Sequence, residues 1–191
     1  MIKIGILGDI GSGKTFVANQ FGFPVFNADK EVSKIYKNNR SCSKKFKKNF
    51  PNHIFSFPIR KKELGKLILE NKKNIKKFNK IVHPLVRTQM YKFLKKNRNK
   101  KAVILDIPLL LENKLNKKNH ILIFVQAKKK DINKRLKLRL NYNLEIIKKL
   151  KKLQLPIELK KKKSNFIIKN NFKRSLLKKS VKVIKNKIFA K

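Results

Sequence analysis

The chain has 191 residues, of which 41% are hydrophobic, and a formal net charge of +43 that comes from 53 Lys and Arg against 10 Asp and Glu. Its single cysteine excludes an internal disulfide, and no uninterrupted apolar run approaches the roughly 20 residues that cross a membrane. We therefore expect a cytoplasmic protein with no membrane partner, built as one domain with room for an inserted subdomain.

The positive charge comes from lysine, with 46 Lys against 7 Arg. The lysines are spread over the whole chain, whereas a nucleic-acid surface favours arginine and aromatic residues at one patch. Asn, Ile and Phe are abundant as well, and all of these residues share AT-rich codons. We attribute the charge to compositional drift and expect no specific nucleic acid as a partner, although the field attracts polyanionic substrates. A nucleic-acid-binding protein is the alternative.

Five short apolar runs predict buried strands. They are residues 2–7, 23–27, 102–108, 121–126 and 165–169. Because helical stretches separate them, these runs predict a parallel sheet that helices cover on both faces.

Three helical regions are predicted between and after these strands. Residues 31–101 show helical periodicity and few strand signals, so we expect a mostly helical insertion in which an acceptor pocket forms. A long lysine-rich helical stretch is predicted from Asp131 to about Leu153. Near the C-terminus, apolar residues at helical spacing predict a packing face, made of Leu177, Val181, Ile184 and Ile188.

The first strand runs into GDIGSGKT, residues 8–15, which fits the pattern G-x-x-x-x-G-K-[ST] of a phosphate-binding loop. Its glycines let the backbone turn tightly and approach an anion. Lys14 is expected to reach the β- and γ-phosphates of a nucleotide, and the Thr15 hydroxyl to bind Mg²⁺. The helix predicted from Thr15 to Phe21 aims its first N–H groups at the phosphate. The predicted ATP-binding residues of the loop are Gly8, Gly11, Ser12, Gly13, Lys14 and Thr15.

Three acids lie after predicted strands. Asp29 follows the second strand, which we place beside the strand of the phosphate loop, where a carboxylate suits proton abstraction from an attacking hydroxyl. The alternative is that Asp29 complements the N-terminus of the next helix. Asp106 ends the third apolar strand and is either a Mg²⁺ ligand or a capping carboxylate. Glu112 either lines the acceptor site or caps a turn.

Two basic motifs carry further candidates. Arg135 and Arg139 are four residues apart, so we expect them on one helix face, where two guanidinium groups stabilise the charge on a transferring phosphoryl group. A solvated basic helix is the alternative. His83 precedes Pro84 and is expected in an extended or turn conformation. It either contacts the acceptor or fixes the last turn of the insertion.

These motifs resemble the dephospho-CoA kinase family over about residues 2–185. The resemblance rests on the segments GDIGSGKT, NAD, HPLV, DIPLLLEN, KRLKLR, QLPIELK and NFIIKN, in that order. It implies a P-loop NTPase fold, a three-layer α/β/α arrangement with a five-stranded parallel sheet, a helical acceptor-binding insertion and a lid. The implied division is a core of about residues 1–30, 100–128 and 165–191, an insertion of about 31–100 and a lid of about 130–164.

The resemblance also implies a reaction, the ATP-dependent phosphorylation of the ribose 3′-hydroxyl of dephospho-CoA, with Mg²⁺ as cofactor. ATP and dephospho-CoA are then the two substrates, and CoA and ADP the products. The implied catalytic residues are Asp29 as base, Lys14 and Arg139; Arg135 joins Arg139 in binding ATP, Thr15 and Asp106 hold the metal, and His83 and Glu112 bind the acceptor. Another small kinase of nucleosides or nucleotides is the alternative among enzymes.

The chain also departs from the family's pattern. Asn27 stands where the family usually has an acid, Asp9 where glycine is common, and Ile132 where glutamine is frequent. Asn165 and Lys169 replace acids near the last strand. Since most of these changes remove acids, as drift would, we expect a weakened or less stable enzyme with the same reaction.

Overall fold

The computed structural model describes residues 1–140 and 142–190, and for residue 72 the backbone alone. The chain divides into two compact units. We call the first the sheet unit, made of Met1–Asn27, Asn97–Asn143 and Leu150–Lys191. The second, the helical unit, is made of Ala28–Lys96 and Leu144–Lys149.

The sheet unit is built on five parallel strands. In chain order they are β1 (Ile2–Gly8), β2 (Val25–Asn27), β3 (Ala102–Asp106), β4 (His120–Gln126) and β5 (Phe166–Lys169). Their order across the sheet is β2-β3-β1-β4-β5, with every pair parallel. The fold class predicted from the sequence, an α/β P-loop NTPase fold with a five-stranded parallel sheet, is confirmed.

The helices of the described residues lie between and after these strands. In chain order they are α1 (Lys14–Gln20), α2 (Ala28–Asn38), α3 (Arg40–Asn49), α4 (Lys61–Glu70), α5 (Lys72–Lys96), α6 (Lys129–Lys137), α7 (Leu144–Lys151), α8 (Ile157–Lys162) and α9 (Arg174–Phe189). Within these residues, no helix has both the length and the apolar character needed to cross a membrane.

The core of the sheet unit forms where alternate strand residues meet α1 and α9. Ile4 and Ile6 of β1 are fully buried against Phe21, the residue after α1. The predicted C-terminal packing face is confirmed, since Leu177, Val181, Ile184 and Ile188 are all buried in the same cluster. Gly5 lies between them on the opposite face of β1, where a Cβ atom would come within 2.5 Å of Leu110 Cδ2. A central parallel strand is therefore packed on both faces, which fixes the position of the loop that follows it.

One predicted neighbour relationship is wrong. We placed the second strand beside the strand of the phosphate loop, but β3 lies between β2 and β1. The register pairs Asn27, the last residue of β2, with Asp106, the last residue of β3. Strand order depends on crossover connections, which the strand sequences do not encode. The consequence is that Asn27 and Asp106 end side by side at the carboxyl edge of the sheet.

The helical unit has a core of its own, built on aromatic rings. Tyr36 of α2 packs edge-on against Phe46 of α3 with ring centroids 6.0 Å apart, and Phe78 of α5 lies 5.5 Å from Phe46. Burial raises the pKa of the Tyr36 hydroxyl, and the neighbouring Cys42 and Asp29 raise it further. Cys42 is itself buried, and burial raises the pKa of its thiol to about 11, so the cysteine is a packing residue.

The expected conformation of His83 is wrong. His83 and Pro84 lie inside α5 rather than in an extended or turn segment. Proline removes one N–H from the helical ladder. Val82, Val86 and Met90 are buried on the same helix, and this packing outweighs the local preference of proline.

The lysine-rich stretch from Asp131 to about Leu153 was predicted as one helical region, and it is two helices. α6 ends at Lys137, and α7 begins at Leu144. Leu138, Leu140 and Leu144 in and beside the break are half or more exposed. Because these apolar residues are not buried, no packing energy holds the helix continuous across the break.

A single carboxylate fixes residues 55–60 of the helical unit. Glu63, in the first turn of α4, accepts hydrogen bonds from the backbone N–H groups of Phe55, Ser56 and Arg60 at 2.9–3.0 Å and from Ser56 Oγ at 2.6 Å. Burial raises the pKa of the Glu63 carboxyl, but the hydrogen bond from the Ser56 side chain and those from the backbone outweigh burial and bring the pKa to about 2.

We predict that Glu63→Gln lowers the free energy of unfolding at pH 7 by about 1–3 kcal/mol, because the amide cannot accept all four hydrogen bonds. The folded pKa of Glu63 lies below its ordinary value of 4.5. Its contribution is therefore complete above that value and is lost as the pH falls toward 2. Urea unfolding across this pH range measures both effects. Glu145→Gln, at an exposed position of α7 in the same unit, is the control. Equal losses in the two variants would contradict this role for Glu63.

Candidate active site

The phosphate loop leaves β1 at Gly8 and enters α1 at Lys14. Gly11 and Gly13 have φ angles of 85° and 90°, which side chains rarely adopt. A Cβ atom on Gly13 would also lie 2.4 Å from Asn170 Nδ2, and one on Gly11 would lie 3.1 Å from Ile132 Cγ2. The loop therefore requires glycine at these two positions, both for its backbone conformation and for the closeness of its neighbours.

Asn170, in the segment after β5, holds the phosphate loop through a hydrogen bond to its backbone. Its Nδ2 donates a hydrogen bond to the Ser12 carbonyl at 2.8 Å, and its Oδ1 accepts one from the Phe172 N–H at 2.9 Å. Its own N–H donates to the Gln126 carbonyl at the end of β4. The side chain is 3% exposed, so these bonds are shielded from water. Asn170 thus links the loop to the carboxyl ends of β4 and β5.

Lys14 folds back over the loop that precedes it. Its Nζ donates hydrogen bonds to the carbonyl oxygens of Asp9, at 2.8 Å, and Gly8, at 3.2 Å. An ammonium group held in this place lies at the loop where a nucleotide's phosphates would bind. A bound phosphate is a stronger acceptor than a carbonyl, so the same side chain can turn to it.

Three oxygen- and nitrogen-bearing side chains meet at the carboxyl edge of the sheet. Thr15 Oγ1 donates a hydrogen bond to Asp106 Oδ2 at 2.6 Å, and Asn27 Nδ2 donates to the same oxygen at 2.6 Å. Asp106 is 3% exposed. A hydroxyl and a carboxylate oxygen are ligands that suit Mg²⁺. The predicted pair of Thr15 and Asp106 is thus brought together, whereas Asn27 was not among the predicted site residues.

The second residue of the loop carries a negative charge. Asp9 is 9% exposed, and its Oδ1 accepts a hydrogen bond from the Ile10 N–H at 2.6 Å. Its Oδ2 lies 3.1 Å from Nζ of Lys151, the last residue of α7. An ion pair therefore joins the phosphate loop to the end of α7.

Asp29 lies in the first turn of α2, two residues after the end of β2. Asp29 is part of the helical unit, and Glu31 lies in the same helical turn. Carboxylates in the first turn of a helix complement its dipole. Both functions considered for Asp29, as a base and as a helix-terminal acid, are compatible with this position.

The expectation that Arg135 and Arg139 share a helix face is wrong, because α6 ends at Lys137. Arg135 lies in its last turn, and Arg139 lies in the following turn, where its N–H donates to the Leu136 carbonyl. The Arg135 guanidinium stacks 4.6 Å from the centre of the Phe172 ring. Phe172 has a φ of 63°, an uncommon conformation for a bulky residue, and it directly follows the Asn170–Asn171 turn.

Glu112 lies in the segment after β3 and pairs with a buried lysine. Its Oε1 is 2.7 Å from Nζ of Lys160, which is 2% exposed, and it accepts a hydrogen bond from the Leu155 N–H at 2.9 Å. Lys160 Nζ also lies 3.2 Å from Gln154 Oε1. Within the sheet unit, these contacts fix residues 154–160 to the segment after β3. The predicted contact of Glu112 with an acceptor stays a prediction.

The helical unit contains a cavity of about 290 Å³ between α3 and α5. Lys45, Lys77 and Lys80 line it together with Pro84, the residue that follows His83. His83 itself is half-buried, and burial lowers the pKa of its imidazole, as does Arg87. His83 is not among the lining residues of the cavity, but a neutral imidazole can accept or donate a hydrogen bond without adding charge.

Sequence reasoning missed Lys151 and Phe172, which shape this site, and noted Asn27 only as a departure from the family's pattern. Lys151 acts through a partner far along the chain, so no local pattern marks it. Phe172 is marked only by its backbone conformation. Asn170 does carry a signal, since it lies in the NFIIKN segment on which the resemblance rests.

The chain is similar to proteins of one known enzyme family. The family model described as dephospho-CoA kinase matches residues 2–175. A dephospho-CoA kinase of Wolbachia pipientis wMel is 37% identical over 170 residues, which cover 86% of this chain and 87% of that one. A solved protein of Thermus thermophilus superposes with a TM-score of 0.78 at 26% identity, covering 98% of this chain and 97% of its own. The solved dephospho-CoA kinase of Campylobacter jejuni gives 0.64 at 26% identity, covering 97% and 96%.

We predict that Asn170→Ala lowers the free energy of unfolding by about 1–3 kcal/mol and weakens nucleotide binding, because it leaves the buried Ser12 carbonyl unpaired. Thermal unfolding and titration with Mg-ATP measure the two effects. Asn171→Ala is the matched control, since Asn171 is exposed and accepts one bond from the Lys173 N–H. If both variants bind nucleotide like the original chain, the loop does not depend on Asn170.

Proposed function

The chain belongs to the dephospho-CoA kinase family, and from that premise we propose that it transfers the γ-phosphate of ATP to the ribose 3′-hydroxyl of dephospho-CoA. The products are CoA and ADP. The observation that carries the proposal is a complete phosphate loop whose threonine is hydrogen-bonded to a buried carboxylate, Thr15 to Asp106. P-loop enzymes use a threonine or serine and an aspartate at these two places to hold the Mg²⁺ of the nucleotide.

In this proposal the loop residues Gly8 to Thr15 hold ATP. Backbone N–H groups of the loop bind the phosphate oxygens, and Ser12 is kept in place through its carbonyl by Asn170. Lys14 leaves the carbonyl oxygens of Gly8 and Asp9 and binds the β- and γ-phosphates. Exchange of two neutral acceptors for charged phosphate oxygens favours this movement.

Thr15 and Asp106 are proposed to hold Mg²⁺ together with the nucleotide. When bound, the metal neutralises charge on the β- and γ-phosphates. Asp106 already has its Oδ2 placed by two donors, Thr15 Oγ1 and Asn27 Nδ2. Asn27 contributes an amide rather than a second carboxylate, so this chain places one fewer negative charge at the metal than an acid there would.

Asp29 is proposed as the base. Its carboxylate accepts the proton of the 3′-hydroxyl while the ribose oxygen forms its bond to the γ-phosphorus. The bond between that phosphorus and the β–γ bridging oxygen breaks, and the electron pair stays on ADP. Positioning and electrostatic stabilisation supply most of the rate enhancement in such a reaction.

Arg139 and Arg135 are proposed to act on the nucleotide in different ways. Arg139 lies in the turn after α6 and is exposed, so its guanidinium is free to reach the transferring phosphoryl group and stabilise its charge. Arg135 is already stacked on Phe172. We therefore assign Arg139 the catalytic role and Arg135 a role in binding ATP.

The acceptor is proposed to bind through the helical unit, with His83 and the basic cavity beside Pro84 as contacts. Three lysines at one cavity suit the diphosphate of dephospho-CoA. Glu112 is the proposed acceptor contact of the sheet unit. Residues 31–100 are then the acceptor-binding insertion and residues 130–164 the lid, of which 154–160 are fixed by the Glu112–Lys160 pair.

The test is a panel of acceptors. We expect purified protein with Mg-ATP to release ADP only when dephospho-CoA is present, and mass analysis to show one added phosphate on that acceptor. A nucleoside and a nucleotide monophosphate are the competing acceptors, because other small kinases use them. ADP release with either of these, and not with dephospho-CoA, would contradict the proposal.

We predict that Asp29→Asn lowers turnover by about 10²–10⁴-fold while Mg-ATP still binds, because the amide cannot take the proton. Steady-state ADP release and a separate titration with Mg-ATP measure the two quantities. Glu31→Gln removes the same charge from the same turn of α2 and is the control. Turnover near that of the original chain would remove Asp29 from the role of base.

A further inference from the structure

The phosphate loop of this chain contains a carboxylate where it would have to bind a polyanion. Asp9 is the residue after Gly8 and is 9% exposed. Its Oδ1 is held by the Ile10 N–H at 2.6 Å, so the negative charge is fixed against the loop backbone. ATP brings several further negative charges to the same loop, and like charges repel strongly at such short range.

Lys151 compensates this charge directly. Its Nζ lies 3.1 Å from Asp9 Oδ2, the oxygen that the Ile10 N–H leaves free for it. The Lys151 side chain is 40% exposed, whereas the Asp9 side chain is 12% exposed. The ammonium group thus approaches a shielded carboxylate from the solvent side.

The high net charge of the chain does not make Lys151 redundant. Exposed charges farther apart than the Debye length, about 8 Å at physiological ionic strength, are largely screened. A cation in contact with a shielded carboxylate is screened much less. The location of this lysine therefore matters more than the number of lysines elsewhere.

We propose that Lys151 is a positioning residue for ATP binding. By pairing with Asp9, it offsets the carboxylate charge and holds that carboxylate against the Ile10 N–H, so the loop can accept the nucleotide's phosphates. This inference rests on the proposed function, because it concerns the same loop. It assigns Lys151 no contact with the reacting atoms.

The experiment compares four single or double variants by equilibrium titration with Mg-ATP. Lys151→Met keeps a long unbranched side chain and removes its charge. Lys152→Met removes the same charge from the exposed next residue and is the matched control. Asp9→Asn removes the carboxylate charge, and the double variant Asp9→Asn with Lys151→Met removes both members of the pair.

We expect Lys151→Met to raise the dissociation constant for Mg-ATP by about tenfold at low salt, and Lys152→Met to change it far less. Asp9→Asn in the Lys151→Met background should restore most of the affinity. The loss of affinity caused by Lys151→Met should shrink as salt is raised, because salt screens the repulsion between Asp9 and the phosphates. It should also be smaller for ADP than for ATP, because ADP carries less negative charge. If the Lys151–Asp9 pair were purely structural, its loss would weaken ADP and ATP binding by the same factor.

Two results would overturn the inference. If Lys151→Met binds Mg-ATP as well as Lys152→Met does, the pair has no part in binding. If the double variant is as weak as Lys151→Met alone, Lys151 acts on the nucleotide itself and not through Asp9. Failure of the proposed function is distinguishable from both, because the unsubstituted chain would then bind Mg-ATP normally and leave dephospho-CoA unphosphorylated.

Discussion

The phosphate loop depends on two hydrogen bonds, one buried and one partly buried, that join it to parts of the chain far away in sequence. Asn170 holds the Ser12 carbonyl across 158 residues, and Asp106 holds the Thr15 hydroxyl across 91. Both partners lie at the carboxyl edge of the sheet, since Asp106 ends β3, which flanks β1, and Asn170 directly follows β5. Glycine is conformationally permissive, so the loop needs contacts that hold its positive φ angles. The hydrogen bonds from Asn170 and to Asp106 are such contacts. The contacts proposed between the loop and ATP follow from this fixed conformation.

Four of the ten acids in the chain have partners that bear on the fold or on the proposed site. Asp106 lies at the proposed metal, Asp9 in the phosphate loop, and Glu112 on a buried lysine. Glu63 fixes residues 55–60 with four hydrogen bonds. In each of these places the oxygen atoms accept bonds that a lysine cannot accept. These four carboxylates therefore lie where the fold or the proposed chemistry needs an acceptor.

The sequence predicted the five strands, the phosphate loop and the pair of Thr15 and Asp106, because these depend on local patterns and on the shared edge of a parallel sheet. It did not predict the position of β3 between β2 and β1, since strand order depends on connections. It also placed His83 outside a helix, where buried neighbours on α5 override the effect of Pro84. The pairs Asn27–Asp106 and Asp9–Lys151 were missed because tertiary structure alone brings them together.

The central claim is that the phosphate loop delivers the γ-phosphate to one hydroxyl of the acceptor ribose. The most direct measurement is phosphorus NMR of the product formed from dephospho-CoA and Mg-ATP, with the new phosphate located by its coupling to the ribose protons. The account predicts a single new phosphomonoester, coupled to the 3′ proton. Inorganic phosphate as the only product, or a phosphate coupled to the 2′ proton, would contradict it.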